Sequence, residues 1–174
     1  MPTRARASRR HRIGSEPTRR GASPRGQSLL EFALVLPLLV TVVIGGVDLA
    51  RYVATHSAAE AASREATRYA SAVGPTGESP PRYVNCAGIR TAARQAAPNL
   101  DLSATAAVRI TFMDGDGDLL PATTSCPSAP AASAVHRLDR VMVTVTTRFQ
   151  PTLGILPGID IVSVDRRTII KESS

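Results

Sequence analysis

The pattern of apolar and polar positions divides the chain into four parts. Residues 1–26 hold almost nothing to bury, and residues 27–48 are nearly all apolar. Residues 49–74 place small apolar and charged positions at helical spacing. Residues 75–174 mix one short helical stretch with alternating, strand-like runs separated by Pro- and Gly-containing connections. Leu29 to Val47 reads LLEFALVLPLLVTVVIGGV, close to the ~20 residues that cross a bilayer core as a helix. Leu29, Leu30, Leu34, Leu36, Leu38, Val43 and Val47 are the side chains expected to face lipid. Pro37 removes one backbone donor and Gly45-Gly46 loosens the far end, and membrane helices tolerate both. A soluble core helix apolar all round would need bulky partners on every side, and the remaining sequence has few to offer.

After Asp48 the helical pattern continues. Tyr52, Ala59, Ala62, Ala66, Tyr69 and Val73 recur at steps of three, four and seven, so they share one face. Glu60 and Arg64 are spaced to pair on the solvated side. Gly74-Pro75 is a C-terminal stop. At 1.5 Å per residue, the span and this amphipathic stalk together predict a helix of ~65–70 Å. Asn85 is placed to cap a second, short helix through Ala97, ended by Pro98.

The period then becomes two. Ala106, Val108, Ile110 and Phe112 alternate with polar or small residues, and Asp114-Gly115-Asp116-Gly117-Asp118 reads as a turn. Arg140 to Phe149 is the cleanest strand, with Val141, Val143, Val145, Thr147 and Phe149 on one side. A third strand is expected over Ile159 to Ile170, with Val162, Val164, Thr168 and Ile170 on its apolar side. The fold class is therefore α+β: a long N-terminal membrane-spanning helix running into an amphipathic stalk, then a short helix and a small antiparallel β-sheet. The alanine face of the stalk is the expected cover for the apolar face of that sheet.

Charge refines this picture. The net charge is +7, and all of it lies in residues 1–26, where eight arginines face Glu16 alone. A basic arm can neutralise phosphates, but here it abuts a membrane-length run. Retention of that arm on the cytoplasmic side by the positive-inside bias explains it more simply. The expected arrangement is a disordered cytoplasmic leader over 1–26, a single span over 27–48, and a stalk (49–74) and small head (75–174) outside, at the cytoplasmic membrane, with no nucleic-acid partner. A cleaved secretory signal fits poorly, because the apolar run is too long and Asp48 stands just before the small residue Ala50. Nor does a cysteine follow that could accept a lipid. Ser8-Arg9-Arg10-His11-Arg12-Ile13 lacks the apolar residues that a twin-arginine address requires. Cys86 and Cys126 both follow the span, so export makes a disulfide their default state. Aromatics are only 3% of the chain and there is no Trp, so the core is built from small side chains.

Glu31 stands out chemically. An ionisable residue inside a membrane helix is costly and by default functional. It lies five residues after Gly26, and a cation on a neighbouring subunit is the partner it is placed to find. The stretch Arg25-Gly26-Gln27-Ser28-Leu29-Leu30-Glu31-Phe32-Ala33-Leu34-Val35-Leu36-Pro37, continuing to Gly46-Val47-Asp48, resembles the TadE-like family, pseudopilins of the tight-adherence (Tad/Flp) pilus system. The resemblance implies a pilin-like fold, prepilin-peptidase cleavage between Gly26 and Gln27, and roles for Glu31, Phe32 and Pro37 in subunit assembly. It implies a minor pseudopilin whose partners are the prepilin peptidase, the major pilin and other pseudopilins, the inner-membrane assembly platform and the lipid bilayer. A permanently anchored scaffold or binding protein that never enters a fibre is the alternative.

Other patterns carry less. Asp114, Asp116 and Asp118 are spaced like the start of a calcium loop, but Leu119 and Ser125 stand where an EF-hand needs Gly and Glu. A solvated turn is the expectation there. Leu120-Pro121-Ala122-Thr123-Thr124 lacks the glycine of a sortase signal. His56 and His136 are isolated, and no nucleophile–base set or phosphate loop stands out. The expectation is a protein without enzymatic activity or cofactor.

Overall fold

The computed structural model describes residues 24–75, 77–120, 126, 131–152, 154 and 157–170. Residues 1–23, most of the expected leader, and much of the connection after Leu120 lie outside the described residues. The expectation of leader disorder falls there, as does most of the stretch likened to a sortase signal. Two units divide the chain at Thr41.

Helix α1 spans Pro24–Ser71. Its first part, through Thr41, belongs to the first unit and is solvent-exposed from Gly26 on. Pro37 leaves the carbonyl of Ala33 without its usual donor, and Thr41 donates its hydroxyl to the Pro37 carbonyl at 2.8 Å.

The second unit packs the rest of α1 and helix α2 (Cys86–Ala96) with a three-stranded antiparallel sheet. The strands are β1 (Val108–Met113), β2 (Arg140–Phe149) and β3 (Ile159–Thr168), in the order β1-β2-β3. Ala59, Ala62, Ala66 and Ala70 of α1 are fully buried. They share one buried cluster with Val141, Val143 and Val145 of β2. Tyr52 and Tyr69 border the same cluster, as the spacing predicts. Val73 does not join them, because α1 ends at Ser71 and leaves it exposed. The Glu60–Arg64 pair forms at 3.0 Å.

Helix α2 begins where Asn85 caps it, accepting a bond from the Gly88 N–H at 2.9 Å. Gly88 is required there, since a Cβ would stand 2.5 Å from the Tyr69 hydroxyl. Cys86 is joined to Cys126 by a disulfide. The Cys126 N–H bonds the Ile110 carbonyl, so the bridge ties α2 to the outer edge of β1.

The third strand corrects the sequence expectation. Val162 and Val164 face solvent, while Ile161 and Ser163 are buried. The register explains this: Val145 lies opposite Ser163, Val143 opposite Asp165 and Val141 opposite Arg167. Directly opposed residues share a face, so the core side of β2 continues into polar residues on β3. Two of them, Ser163 and Asp165, find partners on α1. Ser63 and Ser163 share a hydrogen bond of 2.9 Å, and the Thr67 hydroxyl donates to Asp165. Ile170 is also exposed, beyond the end of the strand.

Candidate functional site

Every apolar side chain singled out in the span is exposed: Leu29, Leu30, Leu34, Leu36, Leu38, Val43 and Val47, each between 43% and 72%. Phe32 is exposed as well. Among the described residues none in the most apolar stretch of this helix is buried, and a helix of that length and hydropathy is suited to lipid or to copies of similar helices. Gly45 and Gly46 have open space around them, which leaves a small-residue patch on which another helix could approach.

Glu31 sits on the first turns of this helix. Its carboxylate accepts a bond from the Gln27 side chain at 3.3 Å, and among the described residues no cation pairs with it. Gln27 and Glu31 are one turn apart, so the residue after the expected cleavage point and the expected assembly residue face the same way. Gly26 lies within the first turn of α1.

Asp48 was legible only as the acid that ends the apolar run. In the folded chain it does more. Its carboxylate accepts the Thr152 N–H at 3.0 and 3.1 Å, the Thr152 hydroxyl at 2.6 Å, and Arg51 Nη1 at 3.1 Å. Arg51 also donates to the Thr152 hydroxyl at 2.6 Å. The Arg51 guanidinium lies over the Phe149 ring, which meets Tyr52 edge-on. The first turn after the span is thereby fastened to the connection that follows β2. No local pattern marks a partner 104 residues away, so this clasp could not be read from sequence.

The aspartate run forms the expected turn. Asp114 Oδ1 accepts the N–H groups of Gly117 and Asp118 at 2.8 Å, and Gly117 has φ +99°. That carboxylate thus serves the turn's own backbone. Among the described residues Asp114, Asp116 and Asp118 do not form a grouping able to hold a metal ion. His56 lies 3.6 Å from Glu60, and exposed His136 lies 3.8 Å from buried Asp139. A depression of about 220 Å³ between Ala72 and Tyr83 is lined by the Glu78–Arg82 ion pair, with Ile170 at its side.

Residues 26–68 match the family model described as TadE-like protein. The matched stretch covers the exposed apolar helix, Glu31, Asp48 and most of the buried alanine face. No curated protein and no solved structure matches the chain.

Proposed function

We propose, starting from the likeness of residues 26–68 to TadE-like proteins, that the chain is a membrane-anchored component of a Tad-type pilus system, and specifically a minor pseudopilin. The observation that carries this reading is the coincidence of that match with an apolar helix, unburied among the described residues, that bears one carboxylate near its start. The helix inserts with the arginine-rich leader on the cytoplasmic side, and the second unit stands outside. Its role is assembly rather than catalysis. The prepilin peptidase releases Gln27, and Glu31 pairs with the freed α-amino group or another cation of a neighbouring subunit. The major pilin, other pseudopilins and the inner-membrane platform are its partners. The disulfide suits an oxidising compartment.

Substitution of Glu31 tests the role of the carboxylate. Glu31→Ala is expected to leave membrane insertion unchanged and to abolish co-assembly with the other pilus components, scored by piliation and by crosslinking. Unaltered piliation and crosslinking would contradict it.

A further inference from the structure

We propose that the free edge of β3 takes an extended, acidic segment of a partner protein as a fourth strand of the sheet. The two edges of the sheet are finished differently. On β1 the Ile110 carbonyl accepts the Cys126 N–H and the Phe112 carbonyl accepts the Leu120 N–H, and the disulfide fixes Cys126 in place. On β3 the edge stays open. Hydrogen-bonded and open pairs alternate along an antiparallel ladder. Ile169 donates its N–H to the Asp139 carbonyl one step beyond the paired strands. In that register the odd-numbered residues of β3 turn their backbone groups to β2. Asp160, Val162, Val164 and Arg166 therefore turn theirs outward, and among the described residues no backbone group meets them. The pairing of β3 runs unbroken from Ile159 to Thr168, and the strand holds no Pro. Such an edge is a template for another strand.

The side chains favour the same use. Val162 is 54% and Val164 46% exposed, while Ser163 beside them is buried. Thr146 lies opposite Val162 and Thr144 opposite Val164, so a strand added beyond β3 would cover both valines on the side that β2 leaves open. Charge sets the chemistry of that strand. The outer face of the sheet carries exposed Arg109, Arg140, Arg148 and Arg166, with Asp160 as the acid of its three strands. Carboxylates on the incoming segment suit this face and cations do not. A second copy fits poorly. Tyr52 meets Phe149, which lies opposite Ile159; further along, Ser63 meets Ser163 and Thr67 meets Asp165. Helix α1 and β3 thus run in the same direction. Two β3 strands joined antiparallel would send their apolar helices opposite ways, which one membrane does not allow. That exclusion alone rests on the anchored reading above.

The probe is a fluorescein-labelled peptide, Glu-Ser-Glu-Thr-Val-Thr-Val-Thr-Ser, added to the full chain in detergent. Laid antiparallel on β3, it sets its glutamates beside Arg140 and Arg166 and its valines opposite Val164 and Val162. Binding is expected by anisotropy, with the amide hydrogens of Val162, Val164 and Arg166 exchanging more slowly in the complex. Val164→Pro removes an outward N–H and leaves the bonds to β2 intact, and Arg166→Glu reverses one charge. Each is expected to weaken binding about tenfold or more at unchanged Tm. If Val164→Pro lowers Tm, Arg166→Glu carries the test. Replacing the peptide's glutamates by lysines, or methylating its valine nitrogens, is expected to weaken binding likewise. No binding of the acidic peptide, or equal binding of the methylated one, would overturn strand addition. Equal binding of the lysine peptide would overturn the acidic character of the partner. Self-association of the chain that Val164→Pro abolishes would overturn the proposal in favour of a second copy.

Discussion

Two carboxylates bracket the apolar run, and their circumstances are opposite. Among the described residues the partner of Glu31 is an amide of its own helix, whereas Asp48 is bonded by Thr152 and Arg51. On the proposed reading the first is an acid that pairs with a neighbouring subunit; the second is spent within the chain. A third polar residue, Thr67, is buried and donates to Asp165 on β3. Thr67→Val keeps the shape and removes the donor, leaving a partly buried carboxylate short of a bond. That is expected to cost about 1–3 kcal/mol of unfolding free energy, measurable by chemical denaturation in detergent. Glu65 gives a smaller, pH-dependent effect. The Arg68 guanidinium hydrogen-bonded to it holds its carboxyl below the ordinary value of 4.5. A lowered folded-state pKa stabilises above the unfolded value, and that contribution is lost as pH falls through the folded one. The stability difference between the native chain and Glu65→Gln should therefore be present at neutral pH and shrink in acid. Because the pair is exposed, salt should shrink it too.

At the scale of elements, most of the architecture was legible. Three-four spacing of alanines located the buried face of α1, Asn85 and Pro98 bounded α2, and alternation of valines fixed β2. Each of these signals is local and repeated. The facing of β3 was not legible, because its core side is Ile161, Ser163 and Asp165 while its solvent side holds Val162 and Val164. Periodicity alone assigns the more apolar side to the core; here pairing register and polar partners on α1 outweigh it. Two substitutions separate the faces. Ile161→Ala is expected to cost about 2–5 kcal/mol, as for a large-to-small change in a packed core. Val162→Thr should stay within about 0.5 kcal/mol. The reverse order in denaturation midpoints would restore the original facing. The Cys86–Cys126 bridge closes a separation of 40 residues. Cys86→Ser with Cys126→Ser should cost about 2–5 kcal/mol, read as a lowered Tm without change in membrane insertion.

For the whole molecule, sequence and structure agree on an apolar helix whose most apolar stretch is unburied among the described residues, followed by a small α+β unit whose core is mostly alanine, valine and isoleucine with Leu102, Phe112 and Phe149. The clasp at Asp48 and the polar seam on β3 both depend on contacts across about a hundred residues, beyond the reach of any local pattern. On the proposed reading the apolar helix is processed and assembled rather than left as a fixed anchor. Intact-mass spectrometry of the protein purified from membranes of its native host, with sequencing of its first peptide, tests this most directly. A mature chain beginning at Gln27 and lacking the arginine-rich leader is expected. A chain that retains residues 1–26 would contradict it and favour a permanently anchored scaffold.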